Sequence, residues 1–191
     1  DCLGVSGGWT PAVHLFTQSG GKLKFRDEDQ TFIPDNYPSN QLSIGACNGD
    51  LTLDEILSNV PQVLKKFLNI KDTEYANLEI LSSTNKSKRN IWLLPSDKIL
   101  GKTKSFVDFQ NDATAKDIKL ALREGFRSIE HVKRYTTTGM GTDQGKLGNM
   151  HALGIISETA DAKMGKLGTT TFRPPYTPLT FGTIVGRNVG A

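Results

Sequence analysis

The order apolar run, glycine turn, helix occurs twice within residues 1–58, and it limits the possible folds more than any other feature of the chain. Apolar runs at 2–5 and 42–46 each lead into a glycine-containing turn, as buried parallel strands do where they end at one edge of a sheet. Glycine at that edge lets a ligand approach the backbone N–H groups. Neither turn has the GxGxxG spacing, so a tight turn without a ligand explains each of them as well. The pattern predicts an α/β fold with four candidate binding residues in its turns: Gly7, Gly8, Gly45 and Asn48.

The rest of the first 70 residues contains local signals for a hairpin and for a second helix. Segments 22–25 and 31–33 alternate between polar and apolar residues around a polar turn, which predicts two antiparallel strands. Thr52 and Glu55 have the spacing of a capping box at the start of a helical pattern. Pro61 lies inside that pattern, so we expect the helix to kink or restart there.

The composition is that of an ordinary globular protein. The chain has 191 residues, of which 37% are hydrophobic, and 23 basic residues against 20 acidic ones give a net charge of +3. These values exclude disorder, collagen and coiled coil for the chain as a whole, and the small positive excess does not indicate a polyanion-binding protein. No apolar run approaches the roughly 18 residues of a membrane span, so we expect no membrane association.

The cysteines and histidines form no recognisable chemical site in the sequence. Cys2 and Cys47 are too few for a disulfide scaffold and belong to no Cys/His cluster, so we expect a cytoplasmic protein without a structural metal. The three histidines and the carboxylates form no nucleophile–base or acid–base pair, so we expect no catalytic residue. The chain begins with Asp and ends in glycine-rich sequence, which suggests a part of a longer polypeptide.

In the second half of the chain, the pattern changes to three capped helices. Thr114, Ser128 and Thr142 each precede apolar residues at helical spacing, and a glycine follows each of the first two helices. Short strands are indicated at 91–94 and 105–109. These signals divide the chain into the end of an α/β domain at 1–70, a linker or insertion at 71–104, a small three-helix domain at 105–164 and an extended tail rich in Pro and Thr at 165–191.

The turn between the second and third of these helices combines the groups that hold a phosphate. It offers hydroxyls, glycine amides and a helix start, with basic side chains on either side. A glycine C-cap joined to a threonine N-cap explains the same turn without a ligand, so both interpretations stay open. The sequence Arg-Pro-Pro-Tyr in the tail is a stiff segment that suits an interface or the edge of a flavin, or serves as a rigid linker. The candidate residues of this anion site are Arg134, Thr136, Thr137, Gly139, Gly141, Lys146 and Arg173.

Two further functions fit the same pattern of helices. Helix, short glycine turn, helix is the outline of a helix-turn-helix, so a DNA-binding regulator is one alternative. The small basic excess of this stretch is typical of a solvated helical face, and we therefore expect no nucleic-acid partner. A non-catalytic interaction scaffold is the other alternative.

Three long segments resemble the alpha subunits of heterotetrameric sarcosine oxidase and of related enzymes that oxidise N-methyl amino acids. The segments are SGGWTPAVHLFTQSGGKL, FVDFQNDATAKDIKLALREGFRSIEHVKRYTTTGMGTDQGK and GTTTFRPPYTPLTFGTIVGR, and they follow one another in this order. In that family, the alpha subunit has an NAD-holding domain with a two-dinucleotide-domain flavoprotein fold, then a helical module, then a folate-binding domain. The resemblance implies that this chain holds the end of the first part and the whole of the second.

The same resemblance implies the chemistry and the partners. Such a complex oxidises the N-methyl amine of sarcosine or a related amino acid to an imine, and it hands the one-carbon unit to tetrahydrofolate or releases it as formaldehyde. The beta subunit holds FAD and the substrate site, FMN lies at the alpha–beta interface, NAD is bound by the alpha subunit, and gamma and delta subunits complete the assembly. The glycine turns of the first 70 residues would then face NAD, and the anion site would hold the FMN phosphate.

The helical module also resembles the iron–sulfur module of bacterioferritin-associated ferredoxin, in which four cysteines bind the cluster. Asp108, Gln110, Asp143 and Gly148 stand at the four cysteine positions. Because a cluster needs thiolate ligands, the resemblance implies that this module binds none. What the resemblance retains is the fold and the glycine loop, which would serve the flavin phosphate or a contact between subunits.

Overall fold

The computed structural model describes residues 2, 4, 8–38, 40–70, 90–96 and 102–187. Gly7 and most of the predicted linker at 71–104 lie outside the described residues. The chain divides into two compact units, Asp1–Ile91 and Trp92–Ala191. Each unit is described by itself.

The first unit contains an antiparallel hairpin and a long helix. The predicted hairpin is confirmed, with its strands extended beyond the segments 22–25 and 31–33, and the rings of Phe25 and Phe32 pack edge to face across it with centroids 5.1 Å apart. The elements in chain order are helix α1 (His14–Gln18), strands β1 (Lys22–Arg26) and β2 (Thr31–Asn36), a 3₁₀ turn (Gly45–Asn48) and helix α2 (Leu53–Leu68).

The strand predicted at 42–46 is wrong. The chain there runs into the 3₁₀ turn, in which Gly45 has a φ of 68° and the Cys47 thiol donates a hydrogen bond to the carbonyl of Ile44 at 3.0 Å. A left-handed residue cannot continue a strand, so the apolar run ends before it can pair. Among the described residues of this unit, the only sheet is the two-stranded hairpin. The other predicted strand, at 2–5, and the glycine turn after it lie mostly outside the described residues.

Helix α2 begins where the sequence predicts. The Glu55 carboxylate accepts a hydrogen bond from the backbone N–H of Thr52 at 3.2 Å, as in a capping box. The helix continues as one element through Pro61, so the predicted restart does not occur; the missing proline N–H removes only one of its hydrogen bonds. Two apolar side chains of α2, Leu53 and Phe67, are 64% and 48% exposed.

The second unit is mainly helical and has one short hairpin. The strand candidate at 105–109 is confirmed as β3, whereas 91–94 forms no strand. Residues 168–180 form neither helix nor strand, and short helices stand on both sides of them, so extended chain over the whole of 165–191 is wrong. The elements are strands β3 (Phe106–Asp108) and β4 (Ala113–Thr114) and helices α3 (Ala115–Arg123), α4 (Ile129–Thr136), α5 (Asn149–Ala160), α6 (Met164–Leu167) and α7 (Phe181–Val185).

The ends of α3 follow from local sequence. The Thr114 hydroxyl accepts the Asp117 N–H, and the Asp117 carboxylate accepts the Thr114 N–H at 2.9 Å. At the other end, Gly125 has a φ of 98° and donates to Leu122, while Phe126 donates to Ala121, which is a Schellman motif. The predicted caps of α3 are therefore confirmed.

The core of the second unit lies where α3, α4 and α5 meet. Its largest side chains, which are at most 1% exposed, come from all three helices, so packing among the helices holds the unit together. Helix α5 begins at Asn149 and not after Thr142, so the predicted cap at Thr142 is wrong. Within the described ranges, no helix is both long and apolar enough to cross a bilayer. The most buried residues are Ile118, Val132, Leu153, Ile155 and Ile156.

Candidate functional site

The glycine loop, residues 136–142, is tied to the end of β3 by a buried carboxylate. Asp108 is only 6% exposed, and one of its oxygens accepts the Gly139 N–H at 2.7 Å. The other oxygen accepts the N–H groups of Gln110 and Asn111 at 2.9 and 3.0 Å. Burial raises the pKa of Asp108, but the N–H donors of Gly139 and Asn111 outweigh it, and the pKa lies below its ordinary value. The Gly139 N–H is therefore already bonded to a carboxylate of the chain itself, that of Asp108.

A second side chain from the same turn supports the loop. The Gln110 side-chain oxygen accepts both the N–H and the hydroxyl of Thr142, at 2.7 and 2.9 Å. A Cβ atom on Gly141 would collide with that oxygen, so the close approach requires glycine. Thr142 thus binds the β3 turn, which explains why it does not cap α5.

The four positions where the ferredoxin module has cysteines serve hydrogen bonding and packing here. Asp108 and Gln110 hold the glycine loop, and Asp143 accepts the Gly145 N–H at 3.0 Å. Gly148 lies against the carbonyl oxygen of Val107, where a Cβ atom would clash. In the part of the chain that the structure describes, no three His, Cys, Asp or Glu side chains are grouped as a metal site.

The two threonines of the predicted anion site face different surroundings. The Thr136 hydroxyl is buried and donates to the Val132 carbonyl at 2.8 Å. The Thr137 hydroxyl donates to the Thr136 carbonyl at 2.6 Å, and Thr137 itself has a φ of 60° and ends α4. Free donors are therefore not available at Thr136 or at the Gly139 amide, because the fold itself uses them.

The loop that follows, residues 143–148, binds the tail through Gln144. Its side-chain nitrogen donates to the carbonyls of Arg173 and Pro175 at 2.7 and 2.8 Å, and its side-chain oxygen accepts the Arg173 N–H at 2.9 Å. The Lys146 ammonium donates to the Tyr176 carbonyl and lies 4.1 Å from the centroid of its ring. The structure thus brings the predicted residues Lys146 and Arg173 to one surface, which we call the clasp: Gln144, Lys146, Arg173, Pro175 and Tyr176.

Arg134 lies on α4, next to an earlier part of the tail. Its guanidinium is 3.3 Å from the carboxylate of Glu130, and 59% of the side chain is exposed. The same carboxylate accepts the Thr171 N–H at 2.8 Å. Glu130 therefore connects Arg134 to the tail segment that leads into the clasp.

Sequence reasoning missed Gln144 and Asn149. The Asn149 side-chain nitrogen donates to the Gln144 carbonyl at 3.0 Å and to the Thr170 hydroxyl at 2.9 Å. Each side chain has a partner more than 20 positions away, and no local motif predicts these contacts. The amino-acid sequence alone gives no signal for such long-range contacts.

In the first unit, the structure places Gly45 and Asn48 in the 3₁₀ turn before α2. The Asn48 side-chain oxygen accepts the Tyr37 hydroxyl at 2.9 Å, so this side chain supports the turn. Gly8 has a φ of 90° and open space around its α-carbon. The first turn of α2 carries two acidic side chains, Asp54 and Glu55, which oppose an anionic ligand at that helix start.

Comparison with known proteins gives consistent matches. Residues 102–187 match the family described as sarcosine oxidase A3 domain. The whole chain is 37% identical over 195 residues to the alpha subunit of sarcosine oxidase from Rhizobium meliloti (strain 1021) and covers 19% of it. It is 35% identical over 201 residues to the corresponding sarcosine oxidase chain from Corynebacterium sp. (strain P-1) and covers 20% of it. The chain thus spans about a fifth of the length of these curated relatives.

Two further matches are more limited. An opine oxidase chain of Rhizobium meliloti (strain 1021) is 34% identical over 73 residues, which are 38% of this chain and 16% of that protein. The crystal structure of L-proline dehydrogenase from P. horikoshii superposes with a TM-score of 0.58 at 20% identity and covers 94% of this chain and 38% of that one. This similarity shows a shared fold of mixed helix and strand.

Proposed function

Because the chain belongs to the family of sarcosine oxidase alpha subunits, we propose that it supports the cofactors of a flavoenzyme that oxidises sarcosine or a related N-methyl amino acid. The observation that carries the proposal is the clasp, which places Lys146 and Arg173 on one surface beside the glycine loop. The chain's own part is to bind and orient a cofactor, since its sequence holds no recognisable acid–base pair.

The clasp fits the phosphate of FMN. A phosphate monoester carries close to two negative charges, and an ammonium with a guanidinium supplies the donors that bind such a group strongly. Lys146 is fixed by the Tyr176 carbonyl and ring, while the backbone of Arg173 is fixed by Gln144. The Lys146 ammonium and the backbone of Arg173 are thus held in place before a ligand binds, which lowers the entropy cost of binding.

The glycine loop has a more indirect part in this proposal. Because Asp108 occupies the Gly139 amide, Gly139 and Gly141 shape the loop, and Thr136 stabilises it from within. Thr137 and Arg134 are exposed at the end of α4, and the proposal assigns them to the rim of the site. When bound, FMN supplies the capacity to accept and pass on electrons, and the chain supplies the position of its phosphate.

We expect Lys146→Ala and Arg173→Ala each to lower FMN affinity of the assembled enzyme about tenfold or more, since a charge-assisted phosphate bond contributes about 1.5–3 kcal/mol. FMN affinity is measured by fluorescence titration after removal of the cofactor. Lys166→Ala is the matched control, because Lys166 is an exposed lysine of α6, away from the clasp sequence. Normal FMN affinity in both clasp variants would contradict the proposed site.

We also propose that residues 1–70 belong to the end of an NAD-binding domain, with Gly7, Gly8, Gly45 and Asn48 near the dinucleotide. The described residues alone fit NAD poorly, because Asp54 and Glu55 stand at the α2 start and Asn48 holds Tyr37. The 191-residue chain contains no GxGxxG loop. The remaining parts of the proposal are FAD and the substrate site on a beta subunit, gamma and delta subunits as partners, one-carbon transfer to tetrahydrofolate and a cytoplasmic location.

From this we expect the 191-residue chain alone to bind NAD weakly or not at all. The physical reason is that a pyrophosphate needs a glycine loop at a helix start, whereas the α2 start carries negative charge. Isothermal calorimetry with NAD measures this directly, and the full-length protein serves as the comparison. A micromolar dissociation constant for the 191-residue chain would show that the site is more local.

A further inference from the structure

Gln144 uses its whole side-chain amide to hold two residues of the tail. Its nitrogen donates to two carbonyls and its oxygen accepts one N–H, all within 2.7 to 2.9 Å. The residue has a φ of 53°, a left-handed conformation that costs free energy for a residue other than glycine. Gln144 adopts this costly conformation, and all three of its side-chain hydrogen bonds go to one segment of the tail. We take this as a sign that the position of that segment is important for function.

The tail has few other means of being held at this point. Pro174 and Pro175 have no N–H, so the Arg173 N–H is the last backbone donor before Tyr176. Residues 173–175 therefore cannot pair as a regular β-strand. The Gln144 side-chain amide supplies hydrogen-bond partners for this backbone. Asn149 in turn fixes the backbone of Gln144 by donating to its carbonyl at 3.0 Å.

We infer that Gln144 is a positioning residue for the anion-binding clasp, an inference that rests on the proposed function. Gln144 touches no part of the proposed cofactor itself. It acts through the backbone of Arg173, which sets the origin of that guanidinium, and through the carbonyl of Pro175. Pro175 precedes Tyr176, whose carbonyl and ring contact the Lys146 ammonium. Without the amide, the two cations lose their common surface although both are still present.

The test uses the complete enzyme complex that contains this chain, with Gln144→Ala and Gln144→Glu. The first variant removes all three hydrogen bonds, and the second removes both donors and places a carboxylate against two carbonyls. We expect FMN affinity to fall about tenfold in both, which corresponds to about 1.4 kcal/mol. We also expect hydrogen exchange at the Arg173 N–H to accelerate at least tenfold, because this N–H donates directly to Gln144.

Asp161→Ala is the matched control. Asp161 also has a left-handed conformation, with a φ of 48°, but it stands at the end of α5 and is not part of the clasp. It therefore reproduces the backbone effect of the substitution without the loss of the amide. FMN affinity and exchange at Arg173 should stay unchanged in this variant.

The outcomes separate the inference from the proposed function. Unchanged exchange at Arg173 in Gln144→Ala overturns the inference. Faster exchange with normal FMN affinity overturns it as well, provided that Lys146→Ala loses affinity. Normal affinity in Gln144→Ala, Lys146→Ala and Arg173→Ala together overturns the proposed FMN site itself. Faster exchange with weaker FMN binding in both Gln144 variants supports the inference.

Discussion

Asp108→Ala is expected to lower the free energy of unfolding of the chain by about 2–3 kcal/mol, as for a buried N–H that loses a charged acceptor. The carboxylate is the shared acceptor for the N–H groups of Gly139, Gln110 and Asn111. Its removal leaves the buried Gly139 N–H without an acceptor and frees the glycine loop from β3. Urea unfolding followed by circular dichroism measures the loss.

Two further variants test whether the loss of stability comes from the lost hydrogen bonds of Asp108. Asp108→Asn keeps the shape and one acceptor oxygen, so it should lose clearly less stability than Asp108→Ala. Glu124→Ala removes an exposed carboxylate at the end of α3 and should change stability by no more than about 0.5 kcal/mol. Equal stability of Asp108→Ala and the parent chain would show that the loop does not depend on this carboxylate.

The same carboxylate predicts acid sensitivity. Its pKa in the folded chain is lower than the value of about 3.9 in an unfolded chain, so the folded state favours the charged form. This contribution to stability is fully present above about pH 4 and is lost as pH falls through the lower folded pKa. Below pH 4, the stability of the parent chain should therefore fall more steeply with acidification than that of Asp108→Asn.

Gly148→Ala is expected to destabilise the chain by about 3 kcal/mol, the upper end for an overpacked core. The added Cβ atom would collide with the carbonyl oxygen of Val107, which belongs to the backbone of β3 and cannot rotate away. Thermal unfolding measures the effect. Gly182→Ala is the control, since a Cβ atom there meets only the Thr180 hydroxyl at 4.0 Å. A parent-like melting temperature for Gly148→Ala would mean that β3 can shift.

This clash also bears on iron–sulfur binding. The Cβ atom of a cysteine at 148 would need the same space as that of the alanine. The carbonyl oxygen of Val107 already fills this space, so a fourth cysteine ligand has no room. We therefore expect a variant with cysteines at 108, 110, 143 and 148 to be unstable and to take up no iron.

Local signals allowed parts of the fold to be predicted. The ends of α3 follow from Thr114, Asp117 and Gly125, all within one turn of the helix ends they define. The hairpin follows from alternation over adjacent residues. The prediction of a strand at 42–46 was wrong because a short apolar run is compatible with several structures. The left-handed conformation of Gly45 turns the chain away from a strand.

The candidate site depended on contacts that the sequence does not encode locally. Thr142 looked like a helix cap, but its N–H binds Gln110, which lies 32 residues earlier. Gln144 carried no signal, since its partners lie 29 and 31 residues later. The basic residues Lys146 and Arg173 were recognised by charge alone, and only the folded tail showed that they share a surface.

The bond between Asp108 and Gly139 has a consequence for the conditions under which the protein matures. Where a module of this kind relies on thiolates and iron, its loop is complete only after cluster assembly and is damaged by oxidation. A carboxylate that accepts amide protons needs no assembly machinery and is insensitive to oxygen. We therefore expect this loop to form as the chain folds, without a requirement for iron.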